Sequence, residues 1–169
     1  MNGRSLGATV PLVLALAASV AGAQPVKVGM AAPEIDLPTL AGGRVRLSQL
    51  HGQAVVVSFW GSWCPPCRLE FPELVRAHRE HAASGLYVLG VNGRDQELST
   101  KDVRKFVDEF SVPFQVALDT RGKAQRTYRL RGLPTTVFID AAGVVQGIHI
   151  GPISREELDS GIAAILPVH

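Results

Sequence analysis

Both cysteines of the chain lie in one pentapeptide, Trp63-Cys64-Pro65-Pro66-Cys67, where an apolar run from Ala54 to Trp60 gives way to a helix-like pattern. Two thiols spaced C-x-x-C at a helix start form a redox couple or a metal clip. With only 2 Cys in the chain, neither thiol can join a wider disulfide framework. The pair must act with itself, with a metal or with a partner. If the helix begins at the motif, Cys64 is its cap and Pro65 its first residue, where a missing N–H costs nothing and φ is preset. Pro66 removes a second donor, so the first amide free to turn back to the Cys64 sulfur belongs to Cys67. That hydrogen bond and the positive end of the helix dipole both favour a thiolate, which places Cys64 below the free-thiol value of about 8.5. Cys64 is therefore expected to be a nucleophile within reach of another protein, with Cys67 one turn deeper and more buried. The roles follow: Cys64 attacks a disulfide to form a mixed disulfide, and Cys67 resolves it.

The elements that must hold this pair are legible from periodicity. Ala54 to Trp60 is near-continuously β-branched or aromatic, as in a central strand covered on both faces. Leu69, Phe71, Leu74 and Val75 give the following helix its apolar face to about His81, where Ser84-Gly85 ends it. Leu86 to Val91 reads as a second buried strand, and Asn92 to Asp95 as a loop. Ser99 or Thr100 caps a helix with Val103, Phe106, Val107 and Phe110 on one face. Phe114 to Leu118 is a strand, Lys123 to Tyr128 a short helix, and residues 135–139 and 144–150 a hairpin about Asp140-Ala141-Ala142-Gly143. Ser154 with Glu157 forms a capping box that opens a last helix to about Leu166. Ahead of all these, Ile35 to Leu37 and Arg44 to Leu47 flank a glycine turn as a small hairpin. Alternating strands and helices followed by a hairpin imply an α/β fold with a mixed central sheet between helices.

The first residues read differently. Arg4 precedes a mostly apolar stretch from Leu6 to Val20 and the small-residue end Ala21-Gly22-Ala23. This is the layout of a signal peptide over residues 1–23, too short for a comfortable membrane span, although an uncleaved anchor is the second reading. Residues 24–169 then form one domain, an ordinary size for a single core. The formal charge of +2 gives no basic excess, which argues against nucleic acid as a partner. Export places the chain in a periplasmic or other extracytoplasmic space, where thiols pair. A bond across C-x-x-C closes too short a loop to be a structural staple, so a working dithiol fits better.

The dithiol after an apolar strand, with Tyr128 to Thr136 (YRLRGLPTT) downstream and both Trp60 and Trp63 in place, resembles the thioredoxin superfamily. The leading Ala32-Pro33-Glu34-Ile35-Asp36-Leu37 segment and the extra helix and strand between about Gly93 and Asp119 are similar, more narrowly, to exported thiol-disulfide oxidoreductases of the TlpA/ResA type. The resemblance spans nearly all of residues 31–166. It implies a thioredoxin fold with an N-terminal hairpin and a central helix-strand insertion. It also implies a cis Leu133–Pro134 bond across the dithiol, with the Leu133 backbone open to a substrate strand. Trp63, Pro65, Leu133, Pro134 and Thr135 are the expected substrate contacts, Trp63 as a lid over the sulfur and Thr135 as a hydroxyl near it or a plain strand residue. Thioredoxin carries a buried acid six residues before its first cysteine, and this chain has Ser58 there. Glu70, on the Cys67 face of the helix, matches the acid of ResA-type proteins and is expected to shuttle a proton for Cys67. A solvated acid among Arg68, Glu73 and Arg76 is the competing reading.

The resemblance further implies a reductase for disulfide-bonded or thiol client proteins, monomeric, with no cofactor beyond the Cys64–Cys67 disulfide and a membrane thiol-electron transporter as donor. Apocytochrome c, in cytochrome c biogenesis, or copper-site proteins are the client classes. Cytochrome-maturation members tend to carry Glu where Thr135 stands, which argues against the first. Two readings compete with a reductase: a Cu(I) chaperone using the same dithiol, and a peroxiredoxin-like thiol peroxidase, which usually has Thr three residues before its cysteine where this chain has Gly61. His78 and His81 share a helix face but read as exposed side chains at a helix end, and His51, His149 and His169 fall in turns or at ends. None forms a zinc spacing with the cysteines.

Overall fold

The computed structural model describes residues 25–167. The signal-peptide reading of residues 1–23 and the terminal His169 lie outside the described residues. Seven strands and four α-helices follow in the order β1 (Asp36–Pro38), β2 (Arg44–Arg46), β3 (Ala54–Trp60), α1 (Pro65–His81), β4 (Leu86–Asn92), α2 (Thr100–Glu109), β5 (Gln115–Leu118), α3 (Lys123–Tyr128), β6 (Thr135–Ile139), β7 (Val145–Ile150) and α4 (Arg155–Ile165). The main sheet runs β5-β4-β3-β6-β7, and β1 and β2 form a separate hairpin. β3 pairs parallel with β4, and β4 with β5, across the α1 and α2 crossovers. The contacts of β3 with β6 and of β6 with β7 are antiparallel. This is the mixed sheet between helices that the pattern predicts, arranged as the three-layer thioredoxin fold that the resemblance implies.

β3 sits at the centre because every one of its residues is buried, so both faces must be covered. On one face Val56 and Trp60 meet Phe71 and Leu74 of α1, Val103 and Phe106 of α2, and Leu158 and Ile162 of α4. On the other, Val55, Val57 and Phe59 meet Ile35, Leu37 and Val45 of the hairpin and Ala124 and Tyr128 of α3. The N-terminal hairpin thus substitutes for helix on much of the second face.

The insertion docks through rings. Trp60 packs on Phe71 and Phe106 with centroids 4.7 and 4.5 Å apart. The Arg68 guanidinium lies over Phe106 and Phe110 at 5.2 and 5.1 Å while pairing with Glu109. Such contacts fasten α2 to the helix that carries the cysteines. α1 runs into a 3-10 turn over Ala82–Ser84, and that turn ends where Gly85 takes φ 88°, a left-handed conformation that glycine adopts without penalty. Ser99 caps α2, and the Ser154–Glu157 capping box opens α4 as the sequence predicts. Among the described residues no helix is long and apolar enough to cross a membrane.

Candidate active site

β3 ends at Trp60 and delivers the chain into Gly61-Ser62-Trp63 before α1 begins. Cys64 is the extended N-cap of that helix, and its Sγ accepts a hydrogen bond from the Cys67 N–H at 3.3 Å. Pro65 and Pro66 fill the first two helical positions, so the amide available to the sulfur is the one predicted from the two prolines. Cys64 and Cys67 are joined as a disulfide with Cα atoms 5.3 Å apart. Both residues are covered, at 2% and 0% exposure, so the expected contrast between a reachable and a hidden cysteine is small in this state. The reason is local: Sγ64 is bonded to Sγ67, turned onto the helix end, and packed in the same cluster as Phe71 and Trp60.

Trp63 stands beside the disulfide and is 52% exposed. Its indole folds back over Gly61, where an added Cβ would meet Nε1 at 2.8 Å. A larger residue at this position would displace the indole from this resting place. On the other side Leu133 packs against the cluster that contains both cysteines, and the Leu133–Pro134 peptide is cis, as the resemblance implies. Thr135 opens β6 with its hydroxyl donated to the Gly132 carbonyl at 2.8 Å. Its side chain lies on the hairpin face with Tyr128 and Val137, away from α1, so it acts as a strand residue and brings no hydroxyl to the sulfurs.

Glu70 lies one turn beyond Cys67 and is 1% exposed, which excludes the solvated reading. Its Oε1 accepts from the Ser58 hydroxyl at 3.0 Å and its Oε2 from the Ile153 N–H at 3.3 Å. Burial outweighs these two bonds and pushes its pKa from 4.5 to about 7. Ser58, which as a residue cannot supply a carboxylate, holds the one that arrives from α1. His78 packs on Phe114 at 5.9 Å and is half-buried, not an exposed helix-end side chain.

A second buried acid has no counterpart in the sequence expectations. Glu97, in the loop after β4, accepts from the Ser62 N–H at 2.6 Å, the Ser62 hydroxyl at 2.5 Å and the Asn92 amide at 2.8 Å. Arg94 anchors the same loop by donating to the Glu97 carbonyl and to the Thr100 hydroxyl. The insertion therefore grips the segment that aims Trp63 and Cys64. Ser62 and Glu97 are 35 residues apart, and no periodicity or spacing signals such a pairing.

A dithiol at a helix N-terminus, a cis-proline loop beside it and a buried carboxyl beneath define a thioredoxin-fold redox protein. The model of the AhpC/TSA family matches residues 28–148, and the chain belongs to that family. Thioredoxin-like protein YneN of Bacillus subtilis is 36% identical over 131 residues, covering 78% of this chain and 76% of the relative. Thiol-disulfide oxidoreductase ResA of Geobacillus kaustophilus is 34% identical over 142 residues, covering 84% and 80%. A crystal structure of a thiol:disulfide interchange protein of the thioredoxin family from Chlorobium tepidum superposes with a TM-score of 0.73 at 28% identity, covering 87% of this chain and 100% of that one. The activity that these relationships and the paired cysteines carry is thiol–disulfide exchange, with the Cys64–Cys67 disulfide as its redox group.

Proposed function

We propose that the protein reduces disulfides of extracytoplasmic client proteins, with Cys64 as nucleophile, Cys67 as resolving thiol and Glu70 as the proton acceptor for Cys67. The observation that carries this reading is the Cys67 N–H on the Cys64 sulfur at the start of α1. In the reduced protein the same donor and the helix dipole favour a Cys64 thiolate, which attacks the client disulfide and releases one client thiolate. Glu70 then takes the Cys67 proton, the Cys67 thiolate attacks Sγ64, and the second client sulfur leaves as a thiolate as the Cys64–Cys67 disulfide forms. A carboxyl with a pKa near 7 is matched to that transfer. With Cys64 2% exposed, docking of a client must shift the cover over the sulfur, and Trp63 and Leu133 are the neighbours placed to move. Trp63, Pro65, Leu133 and Pro134 serve as the client-contacting rim.

Export by residues 1–23, a monomeric state and re-reduction by a membrane thiol-electron transporter belong to the same proposal, and the apolar run from Leu6 to Val20 supports the first. Copper-site proteins fit as clients better than apocytochrome c, because Thr135 stands where cytochrome-maturation members carry Glu. A peroxidase is disfavoured because Gly61 stands where peroxiredoxins usually carry Thr. Mixing the reduced protein with a disulfide-bonded protein tests the reading. A Cys67→Ser variant should accumulate a covalent complex through Cys64, and a Cys64→Ser variant none. Tight Cu(I) binding with negligible exchange, or rapid peroxide consumption, would replace it. A reduction potential near about −270 mV supports a reductant, and one near about −120 mV an oxidant.

A further inference from the structure

With Glu70 as the proton acceptor for Cys67, each half-reaction changes its proton count by one, yet Glu70 is buried and a docked client covers the front of the site. The proton needs another way out. Behind Glu70 the sheet offers one. Ser58 of β3 lies directly opposite Thr136 of β6, and Thr136 directly opposite His149 of β7. Opposite residues of antiparallel strands share a face, with Cβ atoms about 4.5–5.5 Å apart. The three side chains therefore form a polar row across β3, β6 and β7 on the α1 and α4 face of the sheet. Ser58 and Thr136 are fully buried, and the Thr136 hydroxyl has no hydrogen-bond partner among the described residues. A hydroxyl with a free donor and free acceptors, flanked by polar neighbours on both strands, is suited to passing a proton.

The far end of the row reaches water. His149 lines an open cleft of about 410 Å³ together with Phe138, Ile153, Glu156 and Glu157. The peptide unit between Pro152 and Ile153 ties the two ends together. Its N–H donates to Glu70 at 3.3 Å, and its carbonyl lies 3.4 Å from His149 Nε2. That contact requires Nε2 to carry its hydrogen, which leaves Nδ1, 3.8 Å from Glu157 Oε1, as the nitrogen able to take up a travelling proton. The charged groups that face the imidazole are Glu157 and Glu156 of α4, both able to stabilise the imidazolium in passing. The polar partners of Glu70 are the Ser58 hydroxyl and the Ile153 amide, and Cys67 stands one turn earlier on its own helix.

We propose that Glu70 exchanges its proton with solvent through the rear of the sheet, along Ser58, Thr136 and His149: the first step is the Ser58–Glu70 hydrogen bond, and the steps to and from Thr136 are made by rotation of its unpartnered hydroxyl or by one bridging water. During client reduction, Cys67–SH and the Glu70 carboxylate become Cys67–S⁻ and the Glu70 acid. The acid then passes its proton by way of the two hydroxyls to neutral His149, and the imidazolium releases it into the cleft. When the disulfide is re-reduced the same path runs inward. Heavy-atom bonds outside the sulfurs are unchanged, and no electrons move along the row.

The inference rests on Glu70 acting as the proton acceptor, and its test separates the two. Resolution of the mixed disulfide is followed in single turnover with a disulfide-bonded peptide, for the wild type and for Glu70→Gln, Thr136→Val and His149→Ala. Thr136→Val keeps the shape and His149 is partly exposed, so both variants fold. Each should slow resolution by about tenfold, a share of what positioned proton transfer contributes. Free imidazole should restore His149→Ala and leave Thr136→Val slow, a pattern that loss of packing would not produce. If Glu70→Gln is slow while both rear variants resolve at the wild-type rate, the rear route is wrong and the role of Glu70 stands. If Glu70→Gln itself resolves at the wild-type rate, both fall.

Discussion

Two buried glutamates flank the dithiol, and their partners set them apart. Glu70 has two neutral donors, one per oxygen, at 3.0 and 3.3 Å, and burial drives its pKa up to about 7. Glu97 has three donors at 2.5–2.8 Å, two of them from the single residue Ser62. Sparse, long bonds leave a carboxyl free to change its proton. Dense, short bonds that tie Ser62 to Asn92 across the ends of β3 and β4 make it a clamp. Burial alone does not decide what an acid does; the number and identity of its donors do.

The largest way to break this comparison is through pH. The folded pKa of Glu70 lies above its ordinary value of 4.5, so below pH 4.5 the acid is protonated in both states and costs nothing. As pH rises toward 7 the unfolded chain releases the proton first, and the fold loses on the order of 3 kcal/mol, after which the loss levels off. Glu70→Gln should flatten that decline and make the variant more stable than the wild type at pH 8, as measured by denaturant unfolding across pH. A parallel decline in both proteins would show that Glu70 is not the buried titrating group.

Glu97→Ala tests the clamp. It should lose about 2 kcal/mol by orphaning Ser62 and Asn92 and alter the fluorescence of Trp63, whose loop is released. Wild-type stability and emission would show that Glu97 clamps nothing. The smallest effect belongs to Ser58→Ala. Removing the bond that lowers the Glu70 pKa should move the upper end of the stability decline above pH 7, at a cost of under about 1 kcal/mol. An unchanged profile would mean that burial alone sets Glu70.

How much of this was legible in the sequence follows from the range of each interaction. The Cys64 cap was readable because two prolines leave one local amide, and the strands because runs such as Ala54 to Trp60 are apolar throughout. α3 matches its expected bounds, and the hairpin matches within a residue. Glu70 was placed on the right helix face by its spacing, but its burial depends on α4 and the Ile153 loop closing over it, which no local pattern contains. The threonines show the same limit. Alternation puts Thr135 and Thr136 on opposite faces of β6, yet only the packing of α1 reveals that Thr136 is the one beside Ser58. Glu97 was missed outright, because a loop acid that grips a segment 35 residues earlier leaves no periodic trace.

The account depends on Cys64 being the ionised thiol of the reduced pair. Alkylation of the reduced protein with iodoacetamide across pH, with the modified residue located by mass spectrometry, tests it directly. The account predicts labelling of Cys64 ahead of Cys67, with a midpoint well below the free-thiol value of about 8.5. A midpoint at or above that value, or labelling of Cys67 first, would contradict it.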